Sequence, residues 1–415
     1  MDRATYLERT TASDGSKTHA AGPLTSEAAD RFSLVFQGPL YNFLQRLGAT
    51  HDRFSNAVRR AVLLMAICWL PLLVLSFAQG ESFNREIRIP FLLDLEVSVR
   101  FLIALPILVL AGIPIDRRLR RAVRQFLRAG LVSAAELPSF EALLNRIERL
   151  QNRILPELVM LAIAYAPSLE PNLSDFYIRG VATWHIAADG SGTRSYAGWW
   201  FLLVSAPLFR FLLLRWVWRL VLWTLILWKV MRLRLHLVPS HPDRAAGLGF
   251  LTEAQKVFSL IVFAGGAVMS GAVANSMLYE SGTLASTRPL MITWIVIAAL
   301  ASVAPLLCAT PLLIRTRDQA IFEFGAMNAA HDQAFDARWI GPGAQPGTEL
   351  LGHPDANSLA NLSHGLETVR EMRFIPLDRR TLIVLALAAA LPMAPVILIV
   401  TPVNELIRDV IKLLA

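Results

Sequence analysis

Apolar residues along this chain fall into seven blocks separated by polar or basic stretches. They run from about Ala61 to Ala78, Val97 to Ile115, Ile154 to Leu169, Trp199 to Leu235, Val257 to Tyr279, Leu290 to Ile314 and Leu382 to Val400. Several reach the roughly 20 residues that carry a helix across about 30 Å of hydrocarbon. The blocks are continuous rather than alternating, which argues against barrel strands. The pattern predicts an all-α polytopic membrane bundle of about seven spans. Six or eight remain open, because the fourth block is long enough to be split or re-entrant.

Three polar stretches carry helical periodicity. Residues 139–153 place Phe140, Leu143, Leu144, Ile147 and Leu150 on one face. Arg317 to Trp339 continues the sixth block with Ile321, Phe324, Phe335 and Trp339. "NSLANLSHGLETVREM" spaces Leu359, Leu362, Leu366, Val369 and Met372 as an apolar stripe, with Asn357 or Ser358 as its cap. A helical cytoplasmic cap on the bundle is therefore expected. The chain divides into a flexible, amphipathic N-terminus (1–55), a membrane bundle (56–315) with a helical insert (116–153), a cytoplasmic helical segment (316–380), and the last span with an amphipathic tail (381–415). Within the first of these, Phe32 to Gly48 is expected to lie on the membrane surface.

Composition agrees: 54% of residues are hydrophobic and only 17% charged, against about 25% in soluble domains. The net charge of +8 comes largely from arginines at block ends. "DRRLRRAVRQFLR", "KVMRLRLHL", "RTR" and "LDRR" all fall on one side if the N-terminus is cytoplasmic. That placement makes the lipid bilayer the partner of the charge and argues against nucleic acid. Cys68 and Cys308 lie inside apolar blocks and read as packing residues, not a disulfide.

The most specific polar motif is "SHPDRAAGLGFL", Ser240 to Leu251, between blocks four and five. Pro242 disfavours helix at His241, so His241, Pro242 and Asp243 are expected to end the fourth helix. Asp243 can bond amides two residues on, and Gly247 and Gly249 permit positive φ. "TEAQ", Thr252 to Gln255, then matches a capping box for the fifth helix. "HPD" recurs at His353, Pro354 and Asp355. Metal ligation by His241, His331 or His353 with nearby aspartates is a second reading, although no pair has ligand spacing within one helix. The tripeptide also resembles that of J-domains, but apolar spans flank it where a soluble helical bundle would be needed. No Walker loop, dinucleotide motif, nucleophile elbow or zincin motif is present, so neither a catalytic residue nor a cofactor is assigned.

Inside the blocks, Arg210 is placed near mid-bilayer, about 16 Å below Trp199. An arginine there is a functional candidate by default, unless it bonds the Leu203 carbonyl that Pro207 frees. Arg215 and Arg219 lie further toward the basic side, where Glu157 is expected to pair with Arg219. Asn275 is a candidate for hydrogen bonding across helices. Small residues at Gly266, Gly271 and neighbouring positions allow close helix approach, within one subunit or between two.

"HPDRAAGLGFL", "GAVANSMLYESGTL", "SLANLSHGLETVREMRFIPLD" and "LPMAPVILIVTPVNELI" together resemble a family of uncharacterised bacterial multi-pass inner-membrane proteins. The resemblance implies a bacterial inner membrane location and no activity. Two functions follow as expectations. One is a channel- or transporter-like protein, homo-oligomeric and leaning toward anions through Arg210. The other is a non-transporting scaffold or signalling protein that binds a cytoplasmic partner. A membrane enzyme using the His/Asp residues is a weaker third.

Overall fold

The computed structural model describes residues 25–39, 53–80, 89–169, 183–186, 193–279, 282–340 and 354–396. Among these the chain is helical, with only isolated bridges of extended backbone. In chain order the helices are α1 (Glu27–Arg31), α2 (Arg53–Ala78), α3 (Leu95–Arg128), α4 (Leu137–Gln151), α5 (Ile154–Leu169), α6 (Tyr196–Val230), α7 (Phe250–Tyr279), α8 (Leu284–Trp339), α9 (Pro354–Arg370) and α10 (Arg379–Val396). Six of them, α2, α3, α6, α7, α8 and α10, are long and apolar enough to cross a membrane. The expected third span, α5, is apolar but shorter. The fourth helix is continuous from Tyr196 to Val230 and stops short of the expected Leu235.

Helices α3 and α6 share a construction that the apolar pattern does not reveal. Each begins at a polar cap, Asp94 or Ser195. Each runs through five α-helical residues into a five-residue π turn, Arg100–Ala104 or Phe201–Ser205. Each then carries a proline, Pro106 or Pro207, at the start of the next α segment. A proline withholds the amide that the regular pattern needs, and a π turn is one way to absorb the defect. The two π turns face each other, with the Phe101 and Phe201 rings 6.3 Å apart, edge to face.

In hydrocarbon a carbonyl orphaned by proline needs a donor from elsewhere in the protein. Pro71 cannot bond the Ile67 carbonyl, which accepts instead from Trp200 Nε1 at 3.1 Å. Pro207 cannot bond the Leu203 carbonyl, which accepts from the Tyr165 hydroxyl at 3.0 Å. Aromatic donors on neighbouring helices thus tie α2 to α6 and α5 to α6. Glycines set the other approaches. A Cβ on Gly266 would stand 2.6 Å from the Ala389 carbonyl of α10, and one on Gly271 would stand 2.9 Å from Glu96 Cα of α3. The small-residue stripe of α7 therefore serves packing within the chain.

At the basic end, α4 buries Phe140, Leu144 and Ile147, the face its sequence predicts. The distal part of α8, Thr310–Trp339, forms a hairpin with α9. Val369 is buried and Leu359, Leu362 and Leu366 are part-covered, in line with the predicted stripe. The helix begins at Pro354, so Asn357 and Ser358 lie inside it and do not cap it.

The N-terminal expectation needs correction for residues 25–39; the rest of Phe32–Gly48, from residue 40, lies outside the described residues. Phe32, Leu34 and Val35 are buried in the core. Ser33 donates to Asp116 at 2.6 Å, Gln151 donates to the Leu34 carbonyl at 2.9 Å, and Arg219 donates to the Val35 carbonyl at 3.2 Å. This segment is threaded into the basic end of the bundle. It does not lie on a surface.

Candidate functional site

Helix α6 ends ten residues before the HPD tripeptide. Residues 231–233 turn out of it and 234–238 run on without helix, with the His236 amide donating to the Leu131 carbonyl at 2.8 Å. His241, Pro242 and Asp243 therefore do not terminate that helix; they build a separate tight loop. Asp243 is its centre. Oδ1 accepts from the amides of Ala245 (2.8 Å) and Gly247 (3.1 Å), and Oδ2 accepts from the amide of Gly249 (2.8 Å). His241 Nδ1 lies 3.0 Å from Oδ1. The backbone pays for this wrap with positive φ at Arg244 (55°), Ala246 (54°) and Gly247 (93°), a conformation costly for residues with a Cβ. Gly249 is required by proximity, because a Cβ there would meet the Asp243 side chain at 2.8 Å.

Asp243, not Thr252, therefore satisfies the amide at the start of α7. Thr252 lies inside that helix, and its hydroxyl donates to the Pro376 carbonyl. The local capping pattern loses to this tertiary acceptor. The loop is clamped onto the segment before α10: Arg373 N donates to the Arg244 carbonyl at 2.8 Å, and Arg244 pairs with Glu371 at 3.0 Å. A cleft of about 170 Å³ lies at the junction, lined by Asp243, Glu253, Thr252, Arg373, Pro376 and Asp378. The Asp378 carboxyl is held below its usual range. Burial would raise it, but hydrogen bonds from Thr381 and the charge of Lys256 outweigh burial. Asp378 also caps α10 by accepting from the Thr381 amide at 2.9 Å.

The second tripeptide behaves differently. His353 lies outside the described residues. Asp355, in the first turn of α9, holds the far end of α8 through Arg338 at 2.9 Å and Trp339 Nε1 at 3.2 Å. His331 lies along α8 with its Nε2 buried and unbonded. Among the described residues, no group of three His, Cys, Asp or Glu side chains is placed to hold a metal.

The arginines of α6 are brought against α5 and the N-terminal segment. Arg210 donates to the Ala164 carbonyl and to Ser168 Oγ, both at 3.3 Å. The Leu203 carbonyl expected for it is taken by Tyr165. Glu157 lies 3.7 Å from Arg215, not opposite Arg219 as expected. Arg219 stacks over Trp216 at 4.5 Å and bonds Val35. A cavity of about 20 Å³ beside Arg215, Arg219, Glu157 and Gln151 has room for about one water.

A third polar centre, at the opposite end of the bundle, escapes sequence reasoning except for Asn275. Asp94 is buried. Its Oδ2 accepts from Trp184 Nε1 at 2.9 Å, and its Oδ1 accepts from Asn275 Nδ2 at 2.8 Å and the Val97 amide at 3.0 Å. Asn275 Oδ1 accepts in turn from the Leu95 amide. His185 stacks on Trp184 at 3.8 Å. Burial, opposed by Asp94 and helped by the charges of Arg194 and Arg100, pushes its imidazole down to about 4. Every acceptor atom of Asp94 is engaged by the protein, so the cluster reads as a lock among α3, α7 and the 183–186 segment.

Six membrane-length apolar helices and these bonded clusters define an integral membrane protein of the polytopic α-helical class. No protein-family model, curated protein or solved structure matches the chain.

Proposed function

We propose that the protein is a non-transporting scaffold of the bacterial inner membrane. Its N-terminus and basic end face the cytoplasm, and the α8–α9 hairpin binds a protein partner there. The observation that carries this reading is the engagement of Arg210. Its guanidinium bonds a carbonyl and a hydroxyl of α5, which is what a helix-to-helix tie does and what an anion ligand in an open path does not need. The cavity at Arg215 and Arg219 is water-sized, which also weighs against the channel- or transporter-like alternative. The arginine-rich ends support the sidedness. Two of the four segments that carry the family resemblance, the HPD loop and "VREMRFIPLD", dock on each other, which supports treating them as one signature.

The hairpin offers the binding surface. Phe322 is 79% exposed and Met327 48% exposed, beyond the basic "RTR" that closes the sixth apolar block. A photo-crosslinking residue at position 322 in native membranes tests the reading. A discrete adduct with one heterologous protein, lost with the label moved to Glu323, is expected. Adducts only with a second copy would assign the face to homo-oligomerisation and overturn the scaffold reading.

A further inference from the structure

We infer that the basic end of α6 carries a seat for the headgroup of an anionic phospholipid, built by Trp228, Lys229 and Arg232. The inference rests on the membrane architecture and not on the scaffold reading. Depth comes first. Trp199 and Trp228 lie near opposite ends of one helix, about 43 Å apart at 1.5 Å per residue. That matches the roughly 40–45 Å of a bilayer with its headgroups. If Trp199 lies at one interface, Trp228 reaches headgroup depth at the other, where indoles concentrate.

Charge and shape come next. Arg232 places its guanidinium 3.6 Å from the Trp228 ring centroid, and Lys229 places its ammonium 4.7 Å from the same ring. Two cations are thus gathered at one half-exposed indole, although they repel each other. No carboxylate of the described residues is paired with either, whereas Arg120, Arg124, Arg215, Arg244 and Arg338 each have one. A phosphodiester supplies the missing negative charge. Below the indole, Val217 and Val221 are 58% and 42% exposed. They lie on the same stripe as Trp228, since intervals of four and seven residues return to one helix face. That stripe offers an apolar track for an acyl chain directly beneath the cations.

The test uses the full-length protein in detergent micelles with added lipid. Lipids retained by the protein are counted by native mass spectrometry with phosphatidylglycerol, phosphatidylcholine or inorganic phosphate as the probe. The expectation is a preference of roughly thirtyfold for phosphatidylglycerol over phosphatidylcholine, following the attraction of two interfacial basic residues. Lys229→Gln with Arg232→Gln should abolish the preference. The charge-conserving pair Lys229→Arg and Arg232→Lys should keep it, and Arg118→Gln, elsewhere on the basic end, should leave it intact. Equal retention of the two lipids, or a preference that survives the Gln pair, would overturn the proposal. Loss of preference in Arg118→Gln to the same extent would also overturn it, by showing only diffuse attraction. Competition by millimolar inorganic phosphate would show a free-phosphate site in place of a lipid seat.

Discussion

Replacing Asp243 with alanine removes the acceptor around which the HPD loop is wound. Three amides, of Ala245, Gly247 and Gly249, lose a charged partner. Hydrogen bonds to charged groups contribute about 1.5–3 kcal/mol each. The Asp243 side chain is 19% exposed, so water recovers part of that, and a net loss of about 3 kcal/mol is reasonable. Against it stands the cost of left-handed backbone at Arg244 and Ala246, about 1–2 kcal/mol per residue. Without the carboxylate the loop has every reason to relax. The effect should be local: about 3 kcal/mol corresponds to roughly a hundredfold rise in opening. Hydrogen exchange on the purified protein reads it directly. Protection at residues 245–249 should fall about a hundredfold, and protection at 373–377 should fall with it, because Arg373 bonds the Arg244 carbonyl. The middle of α7 should be unchanged. Loss of protection at 245–249 below threefold, or loss spread evenly over the chain, would refute the clamp.

Two further outcomes follow from the opposite end. Gly198→Ala places a Cβ 2.4 Å from the His185 carbonyl, so the start of α6 must shift; thermal unfolding should show a loss of about 1–3 kcal/mol, and an unchanged melting temperature would contradict the contact. His185 is neutral when folded, with a pKa of about 4 against 6.5 for a free imidazole. The unfolded chain therefore binds the extra proton between these values, and stability should be full above about pH 6.5 and decline as pH falls toward 4. His185→Phe, which keeps a stacked ring, should flatten that part of a melting-temperature profile; an unaltered profile would reject His185 as its source.

The apolar blocks, the helix at 137–151, the α8–α9 stripe and the Asx-type turn at Asp243 were all legible, because each is written in neighbouring residues. The features that escaped depend on partners far along the chain. Asp94 sits in a polar loop by sequence, yet its ligands Trp184 and Asn275 are 90 and 181 positions away. Thr252 has the pattern of a cap, but a carbonyl 124 positions away takes its hydroxyl. Past Val230 basic and apolar residues alternate in "MRLRLHL", and the expected helix ran on to Leu235; the chain leaves the helix there instead, with the His236 and Val238 amides bonding the Leu131 and Ala246 carbonyls. Phe32 to Val35 look like a surface stretch until Asp116, Gln151 and Arg219 are seen to hold them. Proline pointed to an orphaned carbonyl at Leu203 but could not say that Tyr165, not Arg210, would reach it.

Arg210→Leu in proteoliposomes, with anion flux and thermal stability measured on the same preparations, tests the central claim most directly. With Arg210 acting as a tie to Ala164 and Ser168, the wild-type protein should show no chloride or phosphate flux above protein-free liposomes. The variant should be less stable by about 1–2 kcal/mol, the low end for charged hydrogen bonds given their length. Flux through the wild-type protein that disappears in the variant, with stability undiminished, would contradict the scaffold reading and return Arg210 to an anion path.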